Sequence, residues 1–144
     1  MYKIYIFCIF KNIMQFSLQT DYALRTLMLL ASRKERSTVA GVAAFFGISE
    51  PHVAKVVNQL ARLGYIRSIR GAGGGIELTK DPRTISVGEV VLSFEGNLHL
   101  LECVGTDNVC KIQSYCKLRN VLAHAEKLQL DYLNSVHLSD VIPV

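Results

Sequence analysis

GISEPHVAKVVNQLARLGYIRSIRGAGGGIELT, residues 47–79, is the run whose reading decides the fold. Gly47 breaks a helical pattern that starts at Ser37 or Thr38 and carries Val42, Ala43 and Phe46 on its inner face. Ser49 then offers a new N-cap. Pro51 falls in the first turn, where backbone N–H groups have no helical acceptor and a missing one costs little. Val53, Val56, Val57, Leu60 and Leu63 recur at helical spacing and predict a buried face over residues 49–63. His52, Lys55, Gln59 and Arg62 fall on the opposite face, flanked by Pro51 and Asn58, and are side chains able to reach base edges and phosphates. Gly64 stops the helix. A helix, a glycine turn and a second helix form the helix-turn-helix pattern. For one amphipathic helix taken alone, a merely solvated polar face is the plainer reading. The residues that follow change that balance.

Residues 65–69 alternate and predict a strand, Arg70-Gly71-Ala72-Gly73-Gly74-Gly75 a turn, and residues 76–79 a return strand. A glycine-rich hairpin directly after a helix-turn-helix is a wing. Glycines such as Gly73 and Gly74 let a backbone approach a groove without side-chain clash. Arg67 and Arg70 place positive charge at its base, suited to phosphates or a minor groove. A nucleotide-binding loop is the rival for this glycine run. It lacks the lysine of a P-loop, and no helix opens at Gly75. The fold class that follows is mostly α with a small β-hairpin wing.

Toward the N-terminus, Ser17 or Thr20 can cap a helix ending near Ser32, with Leu18, Tyr22, Leu27 and Leu30 as its buried stripe. Asp21 lies in the first turn, where a carboxylate suits the helix dipole and Arg25 is one turn on. Residues 1–13, MYKIYIFCIFKNI, fit none of this. Their apolar run is too short to span a bilayer and has no small-residue cleavage site. The expectation is an extension created by a start placed too early, with Cys8 as a spare ligand in the alternative. Charge is divided unevenly along the 144 residues. Residues 14–80 carry nine Lys and Arg against four Asp and Glu, and residues 81–144 carry five against eight. A polyanion partner for the front half alone is implied. No nucleophile, base and orienting group stand in a recognisable set, which argues against an enzyme.

Beyond the wing, Asp81-Pro82 closes the hairpin, and Ser86-x-x-Glu89 predicts a capping box for a short helix stopped by Gly96. A long helix is predicted over residues 114–136, where Leu118, Val121, Ala125, Leu128 and Tyr132 form a seam for a partner helix. Packing of that seam against its own domain is the alternative. A symmetric dimer suits a two-fold DNA site better.

Between these helices three of the four cysteines stand together, Cys103, Cys110 and Cys116, separated by six and five residues. They can be buried small hydrophobes, a disulfide with a spare, a zinc site or an iron–sulfur site. The gaps are wide for a zinc-knuckle pair, and nothing else argues for secretion and a disulfide framework. Iron–sulfur clusters tolerate irregular spacing. Gly105, Thr106, Asp107 and Asn108 form turns, and Lys111 and Lys117 each follow a cysteine and would offset thiolate charge. Inert or redox-active thiols remain the bland reading. A fourth ligand has to come from elsewhere or be an exchangeable small molecule.

From Met14 onward the chain resembles the Rrf-type family of winged-helix regulators that carry an iron–sulfur cluster. The resemblance rests on Thr20-Asp21-Tyr22-Ala23-Leu24-Arg25, on Leu60-x-x-Leu63-Gly64-Tyr65-Ile66, on the wing Arg70–Gly75, and on the three cysteines. It implies a winged helix-turn-helix over residues 14–80, a connecting helix and cluster loop over 81–113, and a dimerisation helix and tail over 114–144. It also implies a cytoplasmic homodimeric repressor that reads double-stranded promoter DNA and needs no membrane. On this resemblance Cys103, Cys110 and Cys116 hold one cluster per subunit, 4Fe–4S in preference to 2Fe–2S. Within the family the chain looks most like the nitric-oxide-sensitive branch, in which the aspartate matching Asp21 comes from the partner subunit as the fourth ligand. A carboxylate holds iron less firmly than a thiolate, which leaves that iron approachable by a diatomic. His99 and His124 are alternative donors. The branch that controls cluster assembly would place a histidine three residues after the last cysteine, where this chain has Arg119. That branch, and a cluster-free thiol or zinc regulator of the same fold, are the competing readings.

Overall fold

Residues 15–33 and 35–143 are described by a computed structural model; the readings of residues 1–13, of Cys8 and of a start at Met14 lie outside the described residues. The first helix, α1 (Leu18–Ser32), is capped by Ser17, whose Oγ accepts from the Thr20 N–H at 3.3 Å. Its buried face is Thr20, Ala23, Thr26, Leu27, Leu29 and Leu30. The expected stripe is therefore half right. Leu27 and Leu30 are buried, but Leu18 is 68% exposed. The place expected of a leucine is taken by threonines with satisfied hydroxyls. Thr26 Oγ1 donates to the Tyr22 carbonyl at 2.7 Å, and Thr20 Oγ1 donates to Glu95. A satisfied hydroxyl removes most of the penalty for burying a polar group.

Glu95 also accepts from the Ser17 N–H at 2.7 Å, so the start of α1 is tied to the end of a helix far along the chain. Burial pushes the Glu95 carboxyl up, but the hydrogen bonds from Thr20 and Ser17 outweigh it and hold the group below its ordinary value of 4.5. A depressed folded-state value means a stabilising contribution present above pH 4.5 and lost as pH falls through the lower folded value. Glu95→Gln is expected to cost about 1 kcal/mol at pH 7 and to flatten the acid limb of stability. Urea midpoints measured from pH 7 down to pH 3 check this.

The second helix, α2 (Val39–Phe46), starts at Thr38, whose hydroxyl accepts from the Gly41 N–H, and ends at Gly47 in the left-handed region. The third, α3 (Glu50–Arg62), buries Val53, Val56, Val57 and Leu60 as the spacing required. Two details depart from expectation. Ser49 occupies the N-cap position, but its hydroxyl pairs with His52 Nδ1 at 2.8 Å instead of capping a backbone N–H. Leu63, expected inside, is 40% exposed, because it lies past the last helical turn where the chain swings out to Gly64.

The hairpin follows as β1 (Ile66–Ile69) and β2 (Gly75–Leu78), antiparallel, with Ile66 opposite Leu78 and Ile69 opposite Gly75. Ser37 adds a single extra bridge on the other side of β2 by exchanging backbone hydrogen bonds with Ile76 at 3.1 and 2.7 Å. A short helix α4 (Val87–Glu95) starts at Ser86, whose hydroxyl accepts from the Glu89 N–H, and ends at Gly96. After the cysteine segment, the predicted long helix begins three residues late as α6 (Lys117–Ser135); residues Gln113–Tyr115 form a separate 3-10 turn. The single helical turn α5 (Glu102–Gly105) precedes it.

α4 lies against α6 at close range, since a Cβ on Gly88 would stand 2.1 Å from Asn134 Oδ1. Past α6 the chain turns back. Val87 N–H donates to the Val136 carbonyl and Leu138 N–H to the Ile85 carbonyl, at 2.9 and 2.8 Å. Leu138 enters the same buried cluster as Leu27, Val42, Val53, Leu60, Ile85 and Val90.

Candidate nucleic-acid interface and cysteine loop

α3 presents Pro51, His52, Lys55, Asn58 and Arg62 to solvent, with Gln59 half-buried beside them. The Ser49–His52 bond fixes one ring nitrogen of His52 and leaves the other outward. The two wing arginines differ. Arg67 is engaged, with Nη2 2.6 Å from Glu77 Oε1. Arg36, which the sequence did not single out, holds the other Glu77 oxygen at 2.7 Å and donates to the Gly73 carbonyl at 3.1 Å. These two guanidinium groups keep the Glu77 carboxyl below its ordinary value, Arg36 contributing first and Arg67 second. Arg70 is exposed and forms no ion pair among the described residues.

The glycine run has an internal reason as well as the expected external one. A Cβ on Gly74 would lie 2.3 Å from the Ile69 carbonyl oxygen, and one on Gly75, at φ +145°, would lie 2.6 Å from that of Ser37. No side chain fits at either point without moving backbone. Gly71 and Gly73 face open space.

The three cysteines are free thiols. Cys103 sits in α5 and Cys116 at the N-cap position of α6, both half-buried, while Cys110 is exposed in the turn between them. Several side chains hold this segment. Arg119 Nη2 donates to Asp107 Oδ1 at 2.9 Å, so the residue in the place of a possible histidine ligand serves as a tie from α6 to the loop. His99 Nδ1 lies 3.1 Å from Glu126 Oε2 on α6, and its ring rests so close to Gly105 that a Cβ there would be 2.3 Å from it. Gln113, which the sequence reading passed over, is buried in the middle of the loop.

Asp21 is not brought to the cysteines within the chain. It stands on α1, paired with Arg25 Nε at 2.8 Å. His124 is exposed on the outer face of α6 beside Val121, Ala125 and Leu128. Among the described residues no three His, Cys, Asp or Glu side chains gather closely enough to hold a single metal ion. Three unpaired thiols on one loop, followed by exposed Lys111 and Lys117, fit a polynuclear iron–sulfur group in donor chemistry, since soft thiolates select such iron.

The outer face of α6 carries Leu118, Val121, Leu128 and Tyr132, each more than half exposed, whereas Leu122, Leu130 and Leu133 are partly covered. The predicted seam is therefore an apolar stripe turned away from the rest of the chain. Among the described residues no helix is long and apolar enough to cross a membrane.

Comparison with known proteins places this architecture. Residues 16–143 match the family described as Rrf2, iron-dependent transcriptional regulator. The HTH-type transcriptional regulator NsrR of Geobacillus kaustophilus is 41% identical over 132 residues, 90% of this chain and 90% of that protein. The NsrR of Bacillus subtilis is 40% identical over 126 residues, 85% of this chain and 86% of that one. Among solved structures, CymR, the global cysteine regulator of Bacillus subtilis, superposes with a TM-score of 0.75 at 23% identity, over 90% of this chain and 97% of that one. IscR of T. potens gives 0.70 at 23%, over 92% and 87%. At that identity the two structures speak for the fold, a winged helix-turn-helix followed by a long helix. With the match running from α1 to the tail, the chain belongs to the Rrf2 family of iron-dependent transcriptional regulators and is a regulator rather than an enzyme.

Proposed function

We propose that the protein is a homodimeric repressor that binds promoter DNA in the cytoplasm while an iron–sulfur cluster is in place, and releases it when nitric oxide reacts at the iron. The observation that carries this reading is the cysteine loop, three free thiols on a segment fastened through Asp107 and His99 to a helix whose outer stripe is left apolar. The two NsrR relatives support a transcriptional regulator, and the choice of signal rests on the resemblance to the nitric-oxide-sensitive branch. Arg119, held by Asp107, leaves no histidine at the position of the cluster-assembly branch.

Cys103, Cys110 and Cys116 would hold one cluster per subunit, 4Fe–4S in preference to 2Fe–2S, with the partner subunit's Asp21 as fourth ligand. When bound, the cluster would supply iron that a carboxylate holds less firmly than a thiolate and that is therefore open to a diatomic signal. The chain's own residues do the rest. Leu118, Val121, Ala125, Leu128 and Tyr132 pair two copies. The head, residues 14–80, sets Ser49, Pro51, His52, Lys55, Asn58, Gln59 and Arg62 toward a major groove, and Arg67, Arg70, Gly73 and Gly74 beside it. Residues 81–113 join the head to the pairing helix and tail, residues 114–144, and so fix the spacing of two heads. A difference of about a few kcal/mol in DNA affinity between the two states suffices to switch occupancy.

Protein purified without oxygen, examined by absorbance and native mass and then titrated with nitric oxide against promoter DNA, tests the reading. A coloured dimer that bleaches as it releases DNA is expected. A colourless dimer that binds DNA regardless of nitric oxide overturns it. The wing has its own test. Arg70→Ala is expected to weaken binding on all sequences alike and to lower the slope of log affinity against log salt by about one. Arg67→Ala is expected to change that slope less, because Arg67 is already held by Glu77, a carboxylate it shares with Arg36. Equal slopes for Arg70→Ala and the parent would remove the wing from the phosphate contacts.

A further inference from the structure

Residues 92–137 contain a single buried residue, and it is polar: Gln113, 8% exposed. Its side-chain Nε2 donates to the Cys103 carbonyl at 2.9 Å and to the Thr106 carbonyl at 2.6 Å, and its Oε1 accepts from the Val109 N–H at 3.1 Å. Its backbone N–H donates to the Cys110 carbonyl at 3.2 Å, and its carbonyl accepts from the Cys116 N–H at 3.4 Å. One residue thus bonds to the backbone of each of the three cysteines. Apart from the ties at Asp107 and His99, the surrounding loop has no other buried side chain to hold it. Leu101, Val109, Ile112 and Tyr115 are exposed, and none of them joins the buried cluster of the head.

We propose that Gln113 is the positioning residue of the cysteine loop, fixing the three cysteine backbones relative to one another before any metal is bound. The amide is suited to this as no other side chain of its length is. It offers two donors to two carbonyls and one acceptor to an N–H, the pattern the loop presents. Methionine matches its length and makes none of the three bonds. Glutamate keeps the acceptor for Val109 but turns a carboxylate oxygen toward the carbonyls of Cys103 and Thr106, where no donor remains. Groups behind a metal's ligands that orient them are commonly worth ~10–100-fold in metal affinity.

That the cysteines are ligands rests on the proposed function; that Gln113 orders them does not, and two measurements on full-length protein keep the two apart. The first is amide hydrogen exchange in the metal-free protein. Gln113→Met, which removes the acceptor of the Val109 N–H, is expected to speed exchange there by about tenfold, and Gln113→Glu, which keeps it, to speed it less, with exchange in α1 and α3 unchanged, since Gln113 lies outside the head's core. Unchanged exchange at Val109 overturns the inference whether or not the protein binds iron. The second is loss of iron to a chelator from anaerobically reconstituted protein. Release from both variants is expected ~10–100-fold faster than from the parent, with the urea midpoint of the metal-free protein unmoved. Equal release rates overturn the inference and leave the cluster reading standing. A parent that takes up no iron and sulfide sinks the cluster reading, and the exchange measurement alone then judges Gln113.

Discussion

Leu138→Ala is expected to lower the unfolding free energy by about 2–5 kcal/mol, as for a large side chain removed from a core that closes poorly behind it. For a chain of this size that moves the thermal midpoint down by roughly ten degrees. Leu138 is 1% exposed and belongs to the same cluster as Leu27, Val53 and Leu60, although it follows α6, whose outer stripe faces solvent. The backbone bonds of Ile85 with Leu138 and of Val87 with Val136 hold the tail in register, so the cavity left by alanine cannot be filled by sliding the chain. Val141 is the matching control. It lies three residues on and is 36% exposed, and its alanine variant is expected to stay within about 0.5 kcal/mol. Urea unfolding of both variants decides the point. A loss below 1 kcal/mol for Leu138→Ala would mean that the tail does not share the head's core in solution. A full loss would make the tail the link through which α6 and the N-terminal head unfold as one unit.

The features legible in the sequence were those whose cause lies within a few residues. The stops at Gly47, Gly64 and Gly96, the cap at Thr38 and the polar face of α3 each follow from local backbone chemistry and helical spacing, and each stands where expected. What escaped was decided by distant partners. Leu18 is exposed because Thr20 and Thr26 find acceptors and take the inner positions of α1, and the Glu95 that satisfies Thr20 is 75 residues away. Ser37 pairs with Ile76 across 39 residues, so this extra bridge to the wing has no local signature. Ser49 carries the residue type of a cap but has His52 within reach, and a side-chain partner wins over the backbone there. The site divides along the same line. Cysteines can be found by type and spacing. Gln113 cannot, because its role comes from a loop that folds around it, and a glutamine in a polar segment carries no sign of burial. The one available clue was its place midway between Cys110 and Cys116. Arg119 was read for what it is not, a histidine, and its bond to Asp107 gives it a part of its own.

Cys110→Ala is expected to abolish the visible absorbance and bound iron of anaerobically prepared protein, and with them specific DNA binding. The substitution is clean for structural reasons. Cys110 is exposed, and what the loop uses of it is its backbone carbonyl, which accepts from the Gln113 N–H and is retained by alanine. The thiol is removed and the turn is kept. Because no core contact is lost, the head is expected to unfold within about 0.5 kcal/mol of the parent. A change in DNA binding would then report the missing ligand rather than a damaged fold. Affinity for promoter DNA is expected to fall to the sequence-independent level, about a thousandfold or more below specific binding, while the residual binding keeps the steep salt dependence that phosphate contacts from the proposed Lys55, Arg62 and Arg70 would confer. Val109→Ala, one residue earlier on the same exposed turn, removes bulk but no thiol and is expected to retain both colour and affinity. The decisive comparison is between the two variants at one salt concentration. A colourless Cys110→Ala protein that still binds promoter DNA as the parent does would break the coupling between loop and head. Affinity lost while colour and iron remain would move the effect from the ligand to the turn, and Gln113 would become the residue to examine for how the loop reaches the proposed DNA-reading surface.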